Sequence, residues 1–114
     1  MKLYGIANCD TVRKARSWLG EHGVRHEWVD FKKTPPTEAQ LERWSRSVGW
    51  ETLVNRRGTT WRALDAEAQR AIRDERSAIA AMARQPSLIR RPVVEVDGEL
   101  IVGFEPADYD RRFG

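Results

Sequence analysis

Thiols are almost absent from this 114-residue chain, in which Cys9 is the only cysteine. One cysteine excludes an internal disulfide, and with it the cross-linked frameworks of small secreted domains. The two histidines, His22 and His26, have no cysteine or carboxylate at metal-site spacing. They read as surface residues at element ends, and no metal is expected. Long apolar runs are missing too. A membrane helix needs about twenty such residues in succession, and a signal peptide needs an apolar core near its N-terminus. Neither is present, so the chain is expected to be cytoplasmic with no membrane partner. No internal repeat, low-complexity segment or linker interrupts it.

A strong charge of one sign is missing as well. The net charge is +3, and acidic residues are interspersed throughout. A nucleic-acid binder clusters its excess on one face. Here only Arg56-Arg57 and Arg90-Arg91 stand out. Such pairs suit small anions better than a duplex, so no nucleic-acid partner is expected. Sixteen arginines against four lysines read mainly as codon bias in a GC-rich genome.

What is present is enough for one core. Hydrophobic residues make up 40% of the chain and include five tryptophans, which favours a single domain over residues 1–114, expected as a monomer. Lys2 to Ile6 reads as a strand. Val12, Ala15 and Leu19, with Trp18 to one side, fall at helical spacing over Thr11 to His22, and Gly23 suits the position after the helix. Arg25 to Phe31 reads as a second strand, parallel to the first across this βαβ unit. After Thr34-Pro35-Pro36-Thr37, the pair Thr37 and Gln40 opens a helix over Glu38 to Val48. Trp50 to Val54 and Trp61 to Leu64 read as short helical pieces, and Asp65 to Arg70 as a turn or short helix. Asp74 to Arg84 reads as a helix with Ile79, Met82 and Ala83 inward, stopped at Gln85-Pro86. Val93 to Val96 and Glu99 to Val102 flank Asp97-Gly98, a strong hairpin turn. Pro106 to Phe113 closes the chain as a helix.

Cys9 thus sits in the turn from the first strand to the first helix, where Asp10 or Thr11 can cap. Unpaired N–H groups and the positive end of the helix dipole favour an anion there, whether a thiolate or a bound oxyanion. The thiol is therefore expected to be more acidic than an ordinary cysteine. Arg13, one turn into the helix, can support the thiolate, whereas Asp10 opposes it as a like charge. Thr11 can hydrogen-bond sulfur or cap the helix.

The order β-α-β, several helices, then β-β-α is an α/β plan of the thioredoxin-like kind. It predicts a four-stranded mixed sheet and an inserted helical subdomain over about residues 34–86. In this plan Pro92, which opens the third strand, is cis and lies beside the cysteine loop.

Several stretches together resemble the arsenate reductase and Spx family, in its YffB-like branch. They are Tyr4-Gly5-Ile6 with Asn8-Cys9-Asp10-Thr11, the segment Leu53 to Arg62, the segment Pro86 to Val93, and Val102-Gly103-Phe104. The resemblance spans nearly the whole chain in register. It implies a redox thiol at Cys9 and an anion-binding arginine before the cis proline, here Arg91. Arsenate reductases of this family use three arginines around the thiol. Here Asn55 stands where the middle one is expected and Gly103 where the last is expected. Spx-type regulators often carry a second cysteine at the position of Val12.

The expected function is a glutathione-dependent thiol reductase with Cys9 as nucleophile and glutathione as co-substrate. Its partners would be glutathione and a small-molecule or protein disulfide. Arg91, Arg56, Arg57, Arg13, Thr11, Asn55 and Pro92 are the expected ligand-binding residues. The alternatives are an arsenate reductase with an incomplete arginine site and a non-catalytic Spx-like protein-binding regulator. Trp61, beside the basic loop, is the tryptophan to watch.

Overall fold

Four short strands and seven helices make up the computed structural model, which describes residues 1–114. The order is β1 (Lys2–Gly5), α1 (Asp10–Glu21), β2 (Glu27–Asp30), α2 (Glu38–Val48), α3 (Trp50–Leu53), α4 (Thr59–Ala63), α5 (Ala66–Ala71), α6 (Glu75–Arg84), a 3-10 turn (Pro86–Leu88), β3 (Val93–Val96), β4 (Glu99–Val102) and α7 (Pro106–Phe113). The chain divides into two compact units, residues 1–33 with 91–114 and residues 34–90. No helix is long and apolar enough to cross a membrane.

The first unit holds the mixed sheet, in the order β2-β1-β3-β4. β1 runs parallel to β2, and both other pairings are antiparallel. Leu3 lies opposite Val94, and Val94 opposite Ile101, so these side chains share one face. Val12, Ala15 and Leu19 of α1 and Tyr109 of α7 bury that face in one core cluster. The predicted period of α1 is thereby realised, with Trp18 partly buried at the margin. Burying a side chain of this size contributes roughly 1.5–3 kcal/mol.

Two glycine features set the geometry. A Cβ on Gly5 would lie 2.8 Å from Val12 Cγ2, so only glycine lets α1 approach the end of β1 this closely. The β3–β4 hairpin turns through Asp97 and Gly98 at φ 50° and 77°, the left-handed pair a two-residue turn requires.

The second unit is helical. The Thr37 side chain accepts the Gln40 N–H at 3.1 Å, and Asp74 and Ser77 form a reciprocal capping box. Asp65 caps α5, which resolves the expected turn or short helix as a helix. Ser45, buried on α2, donates to Glu75 at the start of α6 at 2.8 Å. The inward face of α6 is Ala78, Ile79, Ala81 and Met82, with Ala83 only half-buried. That face is wider than expected because α2, α3 and the 3-10 turn all pack on α6. The unit also ends later than the expected residue 86. Val54 bridges Ile89, Asn55 N–H donates to Leu88 O at 2.9 Å, and Arg90 N–H donates to Leu53 O at 2.7 Å.

Candidate functional site

The thiol occupies the position immediately before the first turn of α1. Cys9 itself is the N-cap, with extended backbone angles of φ −103° and ψ 124°. This corrects the expectation that Asp10 or Thr11 caps. Both lie inside the first turn, because the helix begins one residue earlier than its apolar period indicates. Sγ closes no cap hydrogen bond of ordinary length. The N–H dipoles of Val12 and Thr11 nevertheless act on it, in the place an N-cap oxygen would take.

Arg91 supplies the full positive charge. Its side chain donates to the Cys9 sulfur, and its charge adds Coulombic attraction. The Arg91–Pro92 peptide is cis, as the fold plan expects. Pro92 is buried, and its carbonyl accepts the Gly103 N–H at 2.8 Å, which ties the start of β3 to the end of β4. Partial burial is the largest single influence on the thiol and pushes it up. The Val12 amide, the hydrogen bond and charge of Arg91, and the Thr11 amide together outweigh that influence. Cys9 is therefore held below its ordinary value. The result is a half-buried, activated sulfur with its back against the α1 core.

Arg13 takes a different part from the one expected. Its guanidinium pairs with the Asp10 carboxylate, one turn back along the exposed side of α1. Helical i,i+3 spacing puts the two side chains side by side, so Arg13 is drawn to the carboxylate. Thr11 acts on the sulfur through its backbone amide, and its exposed side chain caps nothing.

Asn55, Arg56 and Arg57 lie together in the helical unit. The Asn55 side chain accepts the Arg57 N–H at 3.2 Å. The Arg56 guanidinium carbon sits 5.7 Å from the ring centroids of both Trp50 and Trp61. His22 stacks on Trp18 with centroids 3.7 Å apart, while His26 Nε2 accepts from Arg16 at 3.4 Å. Sequence reasoning overlooked two participants, the Val12 amide and Trp50. The first was discoverable, since the third residue of a helix always presents its N–H to the cap.

The ArsC family model matches residues 4–112. The chain belongs to the ArsC family. The YFFB protein shares 45% identity and superposes with a TM-score of 0.93, over 99% of this chain and 98% of its own. An arsenate reductase (ArsC) related protein from Brucella melitensis shares 46% identity with a TM-score of 0.79, over 98% and 92%. The global transcriptional regulator Spx of Streptococcus mutans is 25% identical over 120 residues, covering 96% of this chain and 86% of its own. The ArsC family fold therefore accompanies both a reductase-related name and a regulator's name among these relatives.

Proposed function

We propose that this ArsC family member is a glutathione-dependent thiol–disulfide oxidoreductase that works through Cys9. The observation that carries the reading is the activated sulfur itself, with Arg91 donating to it and two helix amides facing it. A thiolate is the nucleophile in thiol–disulfide exchange, and its nucleophilicity is useful when its acidity lies near ambient pH. Because Cys9 is the only cysteine, a second thiol must come from outside the chain. Glutathione is the abundant small thiol of the cytoplasm, and its carboxylates suit an arginine-rich protein.

The exchange proceeds in two balanced steps. The Cys9 thiolate attacks the glutathionyl sulfur of a mixed disulfide, a Cys9–glutathione S–S bond forms, and the partner thiolate leaves to take a proton. A second glutathione thiolate then attacks the glutathionyl sulfur, giving glutathione disulfide and restoring the Cys9 thiolate. Together the two steps turn one glutathione thiol and the substrate mixed disulfide into the partner thiol and glutathione disulfide, so the substrate sulfur is reduced as the entering glutathione sulfur is oxidised.

Mass spectrometry after incubation with glutathione disulfide tests the reading. A single glutathionyl adduct is expected on the wild type and none on Cys9→Ser. An unmodified wild-type protein would refute it.

The name of the Brucella relative favours a second reading, arsenate reduction, and Arg91 would be one of its anion ligands. Asn55 and Gly103, which replace the other two expected arginines, count against it, because an oxyanion would lose charge-assisted bonds there.

A further inference from the structure

The segment from Trp50 to Trp61 gathers two indoles and a guanidinium within the helical unit. Arg56 is exposed, and its guanidinium carbon lies 5.7 Å from the ring centroids of Trp50 and of Trp61. Both tryptophans are half-buried, so each keeps some accessible surface. A long arginine side chain ordinarily loses rotamer freedom when it meets a ligand. Here two rings already restrain it.

The loop beneath is equally restrained. Asn55 N–H donates to Leu88 O at 2.9 Å, Gly58 N–H to Asn55 O at 3.3 Å, and Arg57 N–H to Asn55 Oδ1 at 3.2 Å. A Cβ on Gly58 would lie 2.9 Å from Asn55 Nδ2, so the turn is closed tightly on its own asparagine. The Arg56 charge nonetheless has no acidic counterpart. Arg56 takes part in none of the ion pairs that join Lys2 to Glu27, Arg13 to Asp10, Arg46 to Glu42, Arg111 to Asp108 and Arg112 to Asp97 and Glu99. Aromatic rings attract a guanidinium but leave its forked N–H donors without an oxygen acceptor.

We propose that Trp50, Arg56 and Trp61 form a binding site for a small carboxylate with an apolar or aromatic body. The carboxylate takes the guanidinium fork, whose planar, bidentate geometry it matches. The body of the ligand lies on the accessible indole surface. The proposal concerns the helical unit alone and stands whether or not Cys9 accepts glutathione.

The test is titration of the full-length, ¹⁵N-labelled protein with benzoate, acetate and inorganic phosphate, each against sodium chloride at equal ionic strength. The Arg56 Nε–H and the indole N–H signals report binding. Trp18, Trp28 and Trp44 supply three indoles outside the cluster, which confirm that each variant remains folded. Benzoate should shift the Trp50, Trp61 and Arg56 signals saturably and more tightly than acetate does. Arg56→Gln should weaken benzoate roughly tenfold or more, as expected for loss of a charge-assisted pair. Arg56→Lys should recover only part of the affinity. Three results would each overturn the proposal: shifts no larger than with chloride, benzoate binding retained by a folded Arg56→Gln variant, or phosphate binding as well as benzoate.

Discussion

Arg13 pairs with Asp10, the residue that directly follows Cys9. Asp10 is adjacent to the thiol in sequence and would oppose its ionisation as a like charge. Neutralising the carboxylate is therefore an indirect way for Arg13 to favour the thiolate. Arg13→Gln should raise the Cys9 pKa, Asp10→Asn should lower it, and the double variant should lie near the wild type. All three shifts should be smaller than that of Arg91→Ala, because the pair is exposed and screened by salt. Rates of iodoacetamide alkylation against pH give the values. A double variant as far displaced as Arg13→Gln would exclude action through Asp10.

The same acidity predicts how stability depends on pH. Cys9 has a folded-state pKa below its unfolded value. Its ionisation therefore adds stability that is fully present above the unfolded value and is lost as pH falls through the folded one. The stability of wild type minus that of Cys9→Ser should rise with pH across that interval and then level off. Urea titrations of both proteins through the neutral to mildly alkaline range would show it. A flat difference would mean that burial cancels the amides and Arg91.

Tyr109 gives the opposite sign. Burial pushes its phenol far above the ordinary tyrosine range, and its hydroxyl donates to Gly103 O at 3.2 Å. A group raised in the folded state stabilises below its unfolded pKa and loses that contribution as pH climbs beyond it. Wild type should lose stability in strong alkali, and Tyr109→Phe should lose less. At neutral pH the substitution should cost about 0.5–1.5 kcal/mol for the missing hydrogen bond. Denaturant unfolding at neutral and alkaline pH checks both parts.

Gly5 joins the fold to the site. A methyl group there meets Val12 Cγ2 at 2.8 Å, on the turn of α1 whose amide faces Cys9. Gly5→Ala should cost about 1–3 kcal/mol through overpacking, and should also raise the Cys9 pKa by displacing the Val12 amide. Gly5→Ala with Val12→Ala should recover much of the packing. A single variant with reduced stability and unchanged alkylation kinetics would show that the amide is not displaced.

Most of the architecture was legible because its signals are local. The spacing of Val12, Ala15 and Leu19 marks α1, Asp97-Gly98 marks the hairpin, and Thr37 and Asp74 mark helix starts. Pro92 could be placed as cis because the order of elements fixed its position in the plan. The partner of Arg13 was not legible, because a guanidinium one turn into a helix reaches a carboxylate at i−3 as readily as a sulfur at i−4. The late end of the helical unit was hidden for a different reason. The contacts of Val54 with Ile89 and of Leu53 with Arg90 join residues far apart in sequence. The contact of Arg56 with both Trp50 and Trp61 was hidden too, since only the folded chain brings residues six and five positions away to one guanidinium.

The glutathione and arsenate readings diverge at Arg91. A compact oxyanion wants several converging cations, and the family resemblance aligns Asn55 and Gly103 with two of the arginines it expects. A peptide thiol needs only the activated sulfur and an arginine beside it for a carboxylate or for the thiolate. Little or no arsenate turnover is therefore expected, alongside a readily formed glutathione adduct. Arg91→Ala should weaken glutathione binding by roughly 1.5–3 kcal/mol if it removes a charge-assisted bond. It should also raise the Cys9 pKa, since the hydrogen bond and charge that favour the thiolate are lost together. Arg91→Lys should restore part of the charge effect but less of the binding, because the fork is gone. Calorimetric glutathione titrations of the three proteins, run beside an arsenate-reduction assay, separate the readings. Brisk arsenate turnover, with glutathione affinity unchanged in Arg91→Ala, would transfer the assignment to oxyanion reduction.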